Sequence, residues 1–145
     1  MPILLLLLGW ETVWWAKRYQ KRASDYETAQ NQAKVLGRPL VVIGAPDRGV
    51  TAGYGCGDIT IDLGPSSIPN SLQLDITKPL PFADDSVVVF VACVLEYVDK
   101  PADALRELFR ISGGWLYVVR VEPWTMAAYL YPGAKQTLPK LGIQT

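Results

Sequence analysis

The chain has 145 residues, half of them apolar, which is enough to build one hydrophobic core and not two. Its 14 basic and 14 acidic residues cancel, so no overall field draws it to nucleic acid, and none is expected as a partner. The count of histidine is 0, which excludes a Ser-His-Asp or Cys-His triad and the commonest metal ligand; no loop has EF-hand spacing, and no metal site is expected.

Pro2 to Ala16 reads PILLLLLGWETVWWA, followed directly by Lys17, Arg18, Lys21 and Arg22. As a helix this segment offers about 22 Å of apolar length at ~1.5 Å per residue, short of the ~30 Å hydrocarbon core of a bilayer. Glu11 would be costly at mid-membrane, yet Trp10, Trp14 and Trp15 beside a basic cluster match an aromatic belt and a positive-inside signal. Two readings stay open for residues 2–16. They anchor the chain in a lipid bilayer, spanning with tilt or inserting partway, or they dock as a hydrophobic helix on the chain's own domain or on a partner. In the anchored reading the basic flank puts the globular part on the cytoplasmic or interior side. A cleaved signal peptide is disfavoured, since no basic residue precedes the leucines and no small-x-small site follows them. Arg22 to Leu36 continues as a polar helix that Gly37 and Pro39 stop, and it reads as a stalk.

Leu40 to Ile43 is a short apolar run and a first candidate strand. A glycine-rich span with Gly53, Gly55 and Gly57 follows; such a span can cradle a phosphate, but no Walker lysine accompanies it, so it reads as loop. Asp58 to Leu63 alternates as a half-buried strand, Gly64 to Asn70 is loop, and Leu72 to Asp75 is a third strand. Val87 to Val94 is an unbroken apolar run, as a central parallel strand should be. Pro101 then opens a helix with an apolar face of Leu105, Leu108, Phe109 and Ile111, while Asp103, Arg106, Glu107 and Arg110 face water. Gly113 and Gly114 stop it, and Trp115 to Val121 is the next strand. Cys56 and Cys93 fall in the glycine-rich turn and in the valine-rich strand and read as free thiols. Asp84 and Asp85 read as solvated turn residues, and Trp115, Tyr117, Trp124, Tyr129 and Tyr131 as packing aromatics. The divisions are an anchor helix with its basic flank (1–22), a stalk (23–37), an α/β domain (38–122) and an irregular tail (123–145).

The stretch from Leu74 to Val119 carries a family likeness. Asp75 closes a short apolar run, and Leu80-Pro-Phe-Ala-Asp-Asp-Ser forms the turn after it. The valine strand exits through Leu95-Glu-Tyr-Val-Asp-Lys-Pro, with Tyr97 where the family often has histidine. This order and spacing resembles the second half of a class I S-adenosylmethionine (SAM)-dependent methyltransferase domain of the type 11-like kind. The resemblance implies an α/β fold, a truncated Rossmann-like open and mostly parallel sheet, here preceded by the N-terminal hydrophobic helix. It implies SAM as cofactor if the domain is active, with Gly44, Asp62 and Asp75 as the cofactor-binding residues. Asp62 would hold the ribose hydroxyls and the neighbourhood of Asp75 the adenine. No catalytic residue can be named.

The first half departs from the pattern. Val42 stands where the family has an acid, Gly44 fits the first motif glycine, Pro46 displaces the second, and Gly49 lies one step beyond the third. Neither Gly49–Gly57 nor Gly64–Asn70 can form the amphipathic helix expected there, so two covering helices are missing. Val41, Ile43, Ile59, Ile61 and the valine run then need other cover: the N-terminal helix and the C-terminal tail, or other protein subunits. Two functions follow. One is a membrane-anchored, non-catalytic, methyltransferase-like structural or accessory subunit of a larger assembly, viral or membrane-associated. The other is an active minimal SAM-dependent methyltransferase completed by a partner chain.

Overall fold

The computed structural model describes residues 2–44 and 53–120. Pro46, Gly49 and the tail from residue 123 lie outside the described residues.

Helix α1 (Pro2–Leu36) is continuous, with Leu, Ala, Gln, Glu and Lys, all good helix formers, along most of its length. Its two halves differ. Arg18, Ala29 and Ala33 are its buried residues, so its C-terminal half is not the free stalk expected over 23–37. Ala29 and Ala33, four apart and nearly without side chain, let the helix backbone lie close against the sheet.

The sheet has five strands, β1 (Leu40–Ile43), β2 (Ile59–Asp62), β3 (Ser71–Gln73), β4 (Val88–Ala92) and β5 (Leu116–Val119). All pair in parallel, in the order β3-β2-β1-β4-β5. The register aligns Val41 with Ile59 on one side and with Val89 on the other, and Val91 with Val118. β3 is shorter than expected, so Leu74 and Asp75 lie beyond the strand.

Strand alternation sends the apolar residues to two cores. Val41, Ile43, Ile61, Val89 and Val91 pack with helix α2 (Pro101–Ser112) through Ala104, Leu105, Leu108 and Ile111. Leu40, Val42, Val88 and Phe90 pack under α1, with Tyr26 and Tyr54. Each Leu or Ile buried in this way contributes about 1.5–3 kcal/mol. The sheet residues expected to lack cover are therefore buried inside the chain: Val41 and Ile61 at 0%, Ile43 at 2%. They face α2 and the turn residues Ile76 and Leu80, while α1 takes the opposite face. The described residues 53–58 and 63–70 contain no helix, as expected for Gly64–Asn70, while residues 49–52 of the other expected deletion lie outside the described residues.

α2 starts at Pro101 and ends at Gly113 in the left-handed conformation, φ 59°. Its last carbonyls are not left bare: Asp85 N–H donates to Arg110 O, and both Ser86 and Val87 N–H donate to Ile111 O. Three of its expected faces differ from the sequence reading. Phe109 is 50% exposed rather than part of the apolar face. Glu107 and Arg110 turn back onto the Pro-Leu-Pro-Phe turn instead of facing water. Glu107 accepts the Leu80 N–H at 2.7 Å, and Arg110 donates to Phe82 O, Leu80 O and Asp84. Asp84 is thus ion-paired with Arg110, and Asp85 with Arg38.

Candidate functional site

In the order β3-β2-β1-β4-β5 the chain builds outward from β1 to β3 and then returns to the other side of β1. Open α/β sheets take ligands in the crevice above such a reversal, at the carboxyl ends of the strands. A cavity of about 270 Å³ lies there, walled by the ends of β1 and β2 and by the segments after β3 and β4. The fold brings all three sequence-predicted cofactor residues, Gly44, Asp62 and Asp75, into this one cavity wall.

Gly44 follows β1 at φ 103°, a conformation side chains rarely adopt, and its N–H donates to Ile61 O at 2.8 Å. A Cβ there would come within 2.9 Å of Val94 Cγ2, so glycine is what lets the end of β1 pass the exit of β4. Val42, two residues earlier, is fully buried among Ala29, Ala33 and Phe90 under α1. The position where the family carries an acid is here part of an apolar core.

Asp62 ends β2 half-buried in the cavity wall, with its Oδ2 shielded from solvent. Its backbone oxygen accepts the Leu74 N–H at 3.0 Å, which ties the end of β2 to the segment leaving β3. Asp75 forms a tight turn: its Oδ1 accepts the Thr77 hydroxyl at 2.7 Å and the Thr77 N–H at 2.9 Å. The Thr77 hydroxyl, and after it the Thr77 N–H, holds the Asp75 carboxyl below its ordinary value. Thr77 was missed in the sequence, although Asp-x-Thr is a recognisable turn-forming pattern.

Apolar Ile43, Ile61, Leu74 and Ile76 line the same cavity, and Tyr97 stands 41% exposed at its wall after β4. Lys78 and Lys100 also line the cavity. The arrangement suits a flat apolar body carrying hydrogen-bond donors at its edges. Among the described residues no group of Cys, Asp and Glu has the makeup of a metal site.

On the α1 side the glycine-rich span has a packing role. Gly55 leaves room for the Tyr26 ring, whose hydroxyl would sit 2.7 Å from a Cβ there and accepts the Gly57 N–H at 3.0 Å. Tyr26, Tyr54 and Phe90 form an aromatic cluster with ring centroids 5.1–6.4 Å apart. Burial pushes the Tyr54 hydroxyl up to about 12, with Cys93 adding to the shift and Arg22 opposing it. These rings pack on the same sheet face as Ala29 and Ala33 of α1.

An all-parallel sheet in this order, with a cavity above the reversal, Asp62 ending its second strand and Asp75 just beyond its third, is a Rossmann-like α/β fold and resembles a methyltransferase-like domain. Residues 54–118 are similar to a family model described as a methyltransferase domain, a match that runs from the glycine-rich span before β2 into β5. No curated protein and no solved structure matches the chain.

Proposed function

We propose that the chain is a membrane-associated, methyltransferase-like accessory subunit that does not itself transfer methyl groups. One observation carries this reading: Val42, buried in apolar contacts under α1, replaces the first-motif acid, so the β1 end of the cavity lacks that charge. The exposed apolar half of α1 supports association with a membrane or a larger assembly. The globular part then lies on the cytoplasmic or interior side, next to the basic residues from Lys17 to Arg22.

The cavity itself favours a second reading, an active SAM-dependent methyltransferase. Asp62 would accept hydrogen bonds from a ribose diol, the apolar wall from Leu74 to Ile76 would flank an adenine, and Gly44 would admit close backbone approach. SAM, when bound, supplies an electrophilic methyl group. The chain's own part would be to hold an acceptor in line with that group, since no base is assigned.

Calorimetric titration of the full chain with SAM and with its demethylated product, paired with a labelled-methyl transfer assay, separates the two. The accessory reading expects no transfer to protein, nucleic acid or small-molecule acceptors. Turnover with micromolar binding, weakened about tenfold by Asp62→Asn, establishes the enzyme and overturns it.

A further inference from the structure

We infer that the cavity at the carboxyl ends of the strands opens toward the lipid surface and takes the polar head of a phospholipid-type amphiphile. This deepens the membrane-associated reading above and rests on it.

Chain direction sets the orientation. α1 ends at Leu36 and β1 starts at Leu40, so β1 runs back along the helix. All five strands are parallel, so their carboxyl ends point toward the N-terminal half of α1. The contacts follow that order. Ala33 shares a core with Leu40, Tyr26 meets the Phe90 ring at 5.4 Å, and a Cβ on Gly53 would lie 3.2 Å from the Tyr19 ring. From Phe90 the rest of β4 climbs about 7 Å, and the same climb on the helix from Tyr26 reaches Arg22 or Lys21. Arg22 accordingly opposes the burial-driven rise of the Tyr54 hydroxyl, which would lie 3.8 Å from a Cβ on Gly44 at the end of β1. The cavity sits above this edge, at the height of the basic residues from Lys17 to Arg22.

Side chains mark where lipid begins. Ile3 to Leu8 are 46–73% exposed, and six successive helical positions cover the whole circumference, which suits hydrocarbon. Trp10 meets Trp14 edge-on at 5.6 Å, Trp15 stacks on Tyr19 at 5.7 Å, and Lys17 Nζ lies 4.9 Å over the Trp14 ring. Such a collar belongs where hydrocarbon gives way to headgroups, a layer about 5–8 Å deep. From Trp14 to Lys21 the helix rises about 10 Å, so the carboxyl edge meets the outside of that layer. This holds at whatever depth the residues before Trp10 lie.

The cavity carries side chains that such a surface selects. Leu63 is 65% exposed and Tyr97 41%, both on its wall. Lys78 and Lys100 are exposed on the same wall, where an anionic leaflet attracts them. Asp62 and Asp75 are less exposed and accept hydrogen bonds. A head that joins a phosphate to hydroxyl or ammonium donors matches this set, the lysines taking the phosphate and the carboxylates the donors.

The test uses the full chain and sealed vesicles of equal parts phosphatidylcholine and phosphatidylglycerol. A trace of the phosphatidylglycerol carries a photoactivatable diazirine on its head. The chain floats with the vesicles, and after illumination mass spectrometry finds the label on residues 62–63, 74–78 and 97–100. The same diazirine-bearing head without acyl chains labels these residues about tenfold less, since the bilayer raises the local concentration of the lipid. Label mainly on residues 34–39 and 83–86, at the opposite edge, overturns the orientation while membrane association stands. Equal labelling by the free head overturns the membrane-borne ligand. A chain that stays in the dense fraction removes the membrane reading itself.

Discussion

Gly113 meets two demands at one position. It closes α2 at φ 59°, and a Cβ there would lie 2.0 Å from Asp85 Oδ1. Gly113→Ala therefore meets left-handed strain and displaces Asp85 from its ion pair with Arg38. We expect a loss of about 1–2 kcal/mol by urea denaturation, mainly the left-handed penalty, because an exposed ion pair adds little. Glu107 acts through charge. The Arg110 guanidinium holds its carboxyl below the ordinary value of 4.5, with the Leu80 N–H helping. A carboxyl lowered on folding contributes stability that is present above its unfolded value and lost as pH falls through its folded value. The melting temperature should thus drop on acidification below about pH 4.5, and drop less steeply in Glu107→Gln, as thermal scans across that range would show. Neither role was visible locally: Glu107 and Arg110 look like a solvent-facing helical pair, and their turn partners lie 26 to 30 residues upstream. Asp62 and Asp75 were singled out through the family resemblance, and both line the cavity, Asp62 at the end of β2 and Asp75 just beyond β3.

Among the elements, the valine-rich β4 and the capped α2 are written plainly in the sequence, since an unbroken apolar run and a Pro-to-Gly helix frame are local signals. α1 is not. Its C-terminal half reads as a polar stalk because only Ala29 and Ala33 touch the sheet deeply, and alanine barely registers as an apolar stripe. The same smallness sets its packing distance. Ala29 is 0% exposed between the helix and the β4 face, so Ala29→Leu forces the helix outward. We expect about 1–3 kcal/mol of destabilisation from overpacking, read by denaturant titration. An equivalent change at Glu27 on the exposed side should stay within about 0.5 kcal/mol. The tyrosines add a second reason why local reading fell short. Tyr26 reaches 31 residues along the chain to the Gly57 N–H, and the glycines that looked like a flexible loop are what admit its ring.

The parallel sheet, its strand order and its cavity are all formed although the described residues between β1 and β2 and between β2 and β3 hold no helix, because other parts of the chain supply cover. The C-terminal half of α1 and the Tyr26–Tyr54–Phe90 cluster cover one face; α2 with the Leu80 turn covers the other. The sequence exposed the loss of cover but not its repair, since the repair joins residues far apart in the chain. α1 is thereby divided into a tip that the domain does not bury and a half that it requires. Two truncations test the division. Removing residues 2–16 should leave the melting temperature of the domain within a few degrees of the full chain, because no residue of that segment belongs to either core. Removing residues 2–36 bares Val42, Val88 and Phe90, which together uncover apolar area worth several kcal/mol at ~25 cal/mol per Å². That shorter chain should aggregate or bind a hydrophobic dye at temperatures where the first truncation stays monodisperse, as light scattering would register. If it behaves as a stable monomer, the sheet has another source of cover and α1 is not what this face requires.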